Sequence, residues 1–223
     1  MFAVIFEVQP KHERWDDYLD IAKTLRPSLE KIDGFIDNER FGSRRQKGRL
    51  LSLSIWRDEK AVIRWRTLAL HHRAQEKGRS EVFEDYHLRV GEITADTGTP
   101  QGEKLPQQRF DETEVGLARA VTISELTPAD DRSRDSPAAA PGLLHGGIEG
   151  LVDHEAFESI THRGKLLLLA AWREAALAAA WRPQTPAGYE LRHRQVRVIR
   201  DYGMLDRREA PQFYPGARAA TGT

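Results

Sequence analysis

His71 and His72 stand side by side in WRTLALHHRAQEKG, with Glu76 one helical turn beyond the second. An imidazole titrates near neutrality, so a histidine facing a cavity can serve as a general base. Neighbours on a helix point about 100° apart, and only one of the two can face a given ligand. His72 is the expected base, with His71 as a substrate contact. The His72–Glu76 pair reads either as a site for a shared proton or metal or as a solvent-facing helical pair. Glu7 is the second catalytic candidate, because it interrupts the apolar run FAVIFEV. A carboxylate there must be paired, reach a wet rim, or do chemistry. Trp56, Trp65 and Tyr86 offer flat apolar surface to a substrate, although aromatics at such positions commonly build cores.

Other chemistries are disfavoured. The chain has no cysteine, which removes thiolate nucleophiles, disulfides and cysteine-ligated metals and fits a reducing cytosol. It shows no phosphate-binding glycine loop, nucleotide fingerprint or Ser–His–Asp order. The glycine-rich GLLHGG at 142–147 does not follow a strand. No metal ligand set is expected. The 34 basic and 34 acidic side chains cancel, so no long-range field argues for nucleic acid or an anionic membrane. Two local basic clusters, Arg44-Arg45-Gln46-Lys47 and Arg192-His193-Arg194, read as solvated loops or strand ends. MFAVIFEVQPKHERW lacks the basic leader of a signal peptide, and LLLLAAW is too short for a membrane helix of ~20 residues. These features predict a soluble, cytoplasmic protein.

The elements that must position these residues come twice. LLSLSIWR at 50–57 and LLLLAAWR at 166–173 place Trp56 and Trp172 116 positions apart. At that offset Gly34–Arg66 aligns with Gly150–Arg182 without a gap, and 13 of the 33 positions are identical. In the first copy, FAVIFEV reads as a strand. Trp15, Tyr18, Leu19, Ala22, Leu25, Leu29 and Ile32 recur at helical spacing, with Pro27 expected to kink or split that helix near Thr24. FIDNERF and RLLSLSIW are two strands around a polar turn. A second helix is predicted from about Asp58 through Leu68 and His72 to about Arg79, and YHLRVGEI closes the unit. The order is βαββαβ, the ferredoxin-like split motif.

In the second copy LARAVTIS, the two middle strands and ELRHRQVRVIRDY survive. TPADDRSRDSPAAAPGLLHGG replaces the first helix, and EAALAAAW is cut off by Pro183. Asp37 and Glu39, like Asp153 and Glu155, share one strand face and read as exposed positions or partners of Arg57 and Arg173. The predicted fold class is therefore α+β, with tandem ferredoxin-like repeats over residues 1–95 and 116–205, a linker at 96–115 and a tail at 206–223. Strand one is apolar on both faces, so its open face needs a second sheet. The second copy supplies one, closing an α/β barrel around a cavity as an intramolecular pseudo-dimer. A homodimer, swapped or not, stays open.

FAVIFEVQP, GFIDNERF and the stretch WRDEKAVIRWRTLALHHRAQEKGRSEVFEDYHLRV resemble the antibiotic biosynthesis monooxygenase domain of the dimeric α/β-barrel superfamily. The likeness covers 2–93 and reaches 117–202 only through the repeat. It implies oxidation of a small aromatic or polyketide-type molecule without metal or organic cofactor, or else a non-catalytic module that binds a small apolar ligand. The haem-degrading members carry an asparagine on strand one and a histidine ten residues after a helical tryptophan. Here Trp65 fits, but AVIFEV holds no asparagine and position 75 is Gln75, so haem degradation is disfavoured. The site is expected in the first-copy half near Glu7, Trp65 and His72, facing Leu167, Leu169 and Ala171 across the barrel.

Overall fold

FAVIFEVQP forms β1 (Phe2–Pro10) in the computed structural model, which describes residues 1–100, 103–130 and 148–211. The first copy continues through α1 (Trp15–Leu29), β2 (Phe35–Ser43), β3 (Leu50–Trp56), α2 (Glu59–Thr67), α3 (Ala69–Lys77) and β4 (Phe83–Asp96). The second gives β5 (Ala120–Pro128), β6 (Leu151–Ser159), β7 (Leu166–Trp172), α4 (Ala175–Ala180) and β8 (Tyr189–Gly203). Each copy makes an antiparallel sheet, β4-β1-β3-β2 and β8-β5-β7-β6, and the sheets join through β2–β6 and β4–β8 into one closed barrel. Phe2 opposes Trp56 as Ala120 opposes Trp172, so the repeat persists in the register. Gly34 and Gly48 have φ of +91° and +84°, and their counterparts Gly150 and Gly164 have +72° and +78°. Glycine recurs at these turns because other residues pay for a left-handed backbone.

Two helical expectations are corrected. Pro27 neither kinks nor splits α1 into pieces, because it lies in the last turn, where the helix ends two residues later. The second helix is not continuous. It breaks at Leu68, whose φ and ψ of −59° and 127° are extended. Thr67 Oγ1 donates to the Ile63 carbonyl at 2.9 Å at that break. GLLHGG and the rest of 131–147 lie outside the described residues, as does the tail beyond 211.

Among the described residues the space between the sheets is filled by side chains apart from a small pocket of about 10 Å³ at the Glu7 end. Ile5, Phe41, Leu51 and Leu53 of the first copy pack against Ile123, Phe157, Val196 and Val198 of the second, and Leu167, Leu169 and Ala171 belong to this core rather than to a substrate wall. Eight strands enclose an interior that side chains fill. Charged clusters cap both ends. At one end Glu7 accepts from Arg49 at 2.7 Å and Arg89 at 2.8 Å, while Glu155 lies 3.5 Å from Arg49. At the other, Glu125 meets Arg194 and, at 2.7 Å, Lys165, which also bonds Glu39. Glu7 opposes Leu51 as Glu125 opposes Leu167, so the two clusters are counterparts. Glu39 and Glu155 are thus buried barrel-end anchors, not exposed positions, and Arg57 pairs instead with Asp33 and Asp58.

Candidate active site

The cavity lies on the outer face of the first-copy sheet, beneath its helices. Its volume is about 190 Å³. Val4, Phe6, Leu88 and Val90 alternate with barrel-facing residues along β1 and β4 and form an apolar floor, which Asn38 and Arg40 of β2 and Ser52 and Ser54 of β3 extend with polar groups. Tyr18, Ala22 and Leu25 of α1 form one wall. Val62, Trp65 and Arg66 of α2 and His71, Ala74 and Gln75 of α3 form the other, and Arg200 and Tyr202 come from β8 of the second copy.

The break at Leu68 builds the wall. It turns α3 back so that the His71 ring stacks on Trp65, with centroids 4.1 Å apart and planes 17° off parallel. His71 Nδ1 lies 3.0 Å from the Trp65 carbonyl oxygen and 3.4 Å from Gln75 Nε2; the nearer partner can only accept, which favours the tautomer with the proton on Nδ1 and the lone pair on Nε2. Burial pushes the His71 pKa down to about 4, outweighing the opposing effect of that hydrogen bond. His71 is therefore neutral at pH 7. On the floor, Asn38 Nδ2 donates to Ser52 Oγ at 3.1 Å and to the Leu53 carbonyl at 3.0 Å, which fixes its amide. Arg40 hydrogen-bonds Tyr18. Its buried Nε meets no acceptor among the described residues. Burial also raises the Tyr202 pKa to about 12, which keeps that hydroxyl protonated.

Of the six residues singled out from the sequence, only Trp65 and His71 line this cavity. His72 is exposed and does not line this cavity, whereas His71 does. Glu7 points into the barrel end. Burial would raise its pKa, but Arg89 and Arg49 outweigh that and hold it below its ordinary value. Trp56 is fully buried and donates to Ser54 Oγ at 2.9 Å. Tyr86 is buried too, its hydroxyl accepting from Arg79 at 3.2 Å and from Arg207. Asn38, Arg40, Arg66, Arg200 and Tyr202 were missed. Asn38 and Arg40 were accessible in principle, since FIDNERF alternates them against Glu39 and Phe41. Nothing in the sequence pointed to Arg200 or Tyr202, which reach the cavity only through the β4–β8 pairing.

A pH response follows from two buried histidines. Burial lowers His71 and His193 to about 4 from an ordinary 6.5. Between these values the unfolded chain binds more protons than the folded one, so stability is complete above pH 6.5 and declines as pH falls toward 4. Thermal midpoints measured across that window should drop in the wild type, and replacing both histidines by asparagine should flatten the decline. An unchanged slope in the double variant would assign the acid response to the carboxylates.

Among the described residues no helix is long and apolar enough to cross a membrane. A sequence model of the antibiotic biosynthesis monooxygenase family matches residues 1–77, which hold β1 through α3 and hence most of the cavity. "Jasmonate monooxygenase ABM" of Pyricularia oryzae is 44% identical over 221 residues, covering 97% of this chain and all of that one. "Uncharacterized protein YqjZ" of Bacillus subtilis is 33% identical over 92 residues, or 41% of this chain and 78% of that one. A crystal structure of aldoxime dehydratase superposes with a TM-score of 0.53 over 89% of this chain and 81% of that chain; at 11% identity this is a likeness of fold alone. Matched from end to end by a monooxygenase, and carrying the family's pattern over the elements that build its cavity, the chain belongs to the antibiotic biosynthesis monooxygenase family.

Proposed function

We propose that the protein is a monooxygenase that oxidises a small, largely apolar ring compound of the jasmonate kind in the cavity under α1, α2 and α3. The observation that carries this is His71, held neutral against Trp65 in the wall of a mostly apolar chamber. The apolar floor strips water from the substrate, which strengthens every polar contact made inside. Nε2 of His71 is the proton acceptor, receiving the proton of a hydroxyl or an enolisable carbon as electron density moves toward oxygen. The burial that keeps His71 neutral also weakens it as a base. The positive charges of Arg40, Arg66 and Arg200 compensate by favouring the anion that forms. The name of the full-length relative supports jasmonate as the first compound to test. Aromatic polyketides, the class implied by the family resemblance, are the competing substrates.

Oxygen uptake by the purified protein tests the reading, with jasmonate set beside hydroxylated naphthalenes and anthrones, in the presence and absence of a reductant. Turnover of jasmonate to a product one oxygen heavier is expected when the reductant is present, which supplies the two electrons that release the second oxygen atom of dioxygen as water. Turnover of the anthrones alone would move the substrate class. Binding of either class with no oxygen consumed would overturn the reading in favour of a non-catalytic ligand-binding module.

A further inference from the structure

Among the described residues, cationic side chains outnumber carboxylates around the cavity. Arg26, Arg40, Arg66 and Arg200 line it, against the single carboxylate of Glu59. That carboxylate is taken by Arg109, whose Nη1 lies 2.7 and 2.8 Å from its two oxygens. Arg26 is exposed and pairs with Glu30 at 2.7 Å. Arg40 and Arg200 form no ion pair among the described residues. Asp111, the carboxylate that feels Arg200, is itself engaged by Arg109. Burial disfavours the charge of Arg66, and Arg200 lies close enough to add to this, while Tyr202 and Glu59 oppose it. Gathering cations in a half-buried space is costly unless an anion joins them.

We infer that the cavity recognises its ligand by a carboxylate, held by Arg40 and Arg200 with Arg66 alongside, so that it accepts apolar monocarboxylic acids and rejects their esters. The inference rests on the reading of this cavity as the substrate site and adds the group by which the substrate is held. It also gives the second copy a part in the site. β8 delivers Arg200 and Tyr202 across the β4–β8 pairing, in which Val90 faces Arg200 and Leu88 faces Tyr202. An arginine fork suits a carboxylate because two parallel N–H donors meet its two oxygens.

Isothermal titration calorimetry decides it with two matched pairs: jasmonate and methyl jasmonate, and 1-naphthaleneacetate and its methyl ester. Each acid should bind about tenfold or more tightly than its ester, the range expected for a hydrogen bond to a charged group. Arg200→Gln should erase most of that preference and leave ester affinity within about twofold, with Arg200→Lys recovering part of it. Circular dichroism checks that the variants fold, and Arg40→Gln supplies an independent second site. Equal affinity for acid and ester in both pairs overturns the inference even where oxygen is consumed, and so does the absence of binding by all four compounds. Acid preference without oxygen uptake leaves the inference standing and overturns the assignment as a monooxygenase.

Discussion

Arg89→Ala is expected to cost about 3–5 kcal/mol of folding stability, read from the denaturant midpoint at unchanged slope. Arg89 is 7% exposed, donates from Nη1 to Glu7 at 2.8 Å and approaches Asp201 at 3.4 Å. Its removal leaves the Glu7 carboxylate, 4% exposed, with Arg49 as its remaining arginine. Desolvation is then no longer balanced. Glu7→Gln should also lower stability while leaving turnover by the folded protein intact, because Glu7 is on the barrel side of β1 and the cavity on the other. Replacing the pair together, as Glu7→Leu with Arg89→Met, should recover much of the loss, since a buried ion pair exchanged for apolar residues is often neutral. A loss below about 1 kcal/mol for Arg89→Ala would mean that the cluster behaves as a solvated surface pair.

His71→Asn is expected to lower kcat/KM in oxygen uptake by about 10²–10⁴-fold, the usual contribution of a general base. Asparagine preserves a donor toward the Trp65 carbonyl, so the α2–α3 wall keeps its tie while the basic nitrogen is lost. His72→Asn, on the exposed side of α3, should leave the rate within about twofold. Trp65→Leu should raise KM more than it lowers kcat if a ring substrate uses the flat surface on which His71 stacks. The larger effect at His72 would reverse this assignment, and equal effects would leave neither histidine as the base.

Much of the architecture was legible in the sequence because a duplication states the same physical requirements twice. The identical pairs Gly34 and Gly150, Phe41 and Phe157, and Trp56 and Trp172 mark left-handed turns, core positions and outer-face anchors. The two-sided apolarity of FAVIFEV correctly called for cover on both faces. It did not say which side would be left hollow. Filling depends on side-chain size against local curvature, and here the barrel is packed while the helix-covered face keeps a void. The choice between His71 and His72 turned on a single residue, Leu68, whose extended backbone rotates α3 relative to α2. No periodicity argument sees such a break, since WRTLALHH reads equally well as continuous helix. Glu7 illustrates the opposite case. Its anomaly was visible and correctly demanded a partner, but Arg89 lies 82 residues away, paired through a register that only the folded sheet defines.

The two joints that close the barrel are unequal in kind. β4 and β8 pair by backbone from His87–Gly203 to Asp96–Arg194. β2 and β6 pair over a shorter stretch, from Phe41–Ser159 to Ser43–Phe157 with backbone bonds from Ile160 to Arg40 and from Arg44 to Ala156 at its ends, and carboxylates add to it: Glu39 reaches Ser159 and Lys165 of the other copy, and Glu155 reaches Ser43 and Arg49. The ring therefore has a hinge on one side and a clasp on the other. Salt screens the clasp and acid neutralises it; the hinge carries ion pairs of its own, Asp201 with His87 and Asp96 with Arg194, but its long backbone ladder remains when these are lost. An open clasp bares two strand edges that complement each other, and at high concentration the edge of a second chain meets them as readily as their own. A brief acid and salt treatment followed by neutralisation is therefore expected to yield a dimer joined through β2–β6 edges of two chains, visible by size-exclusion chromatography, in which the intact β4–β8 pairing keeps each chain's own Arg200 at its own cavity.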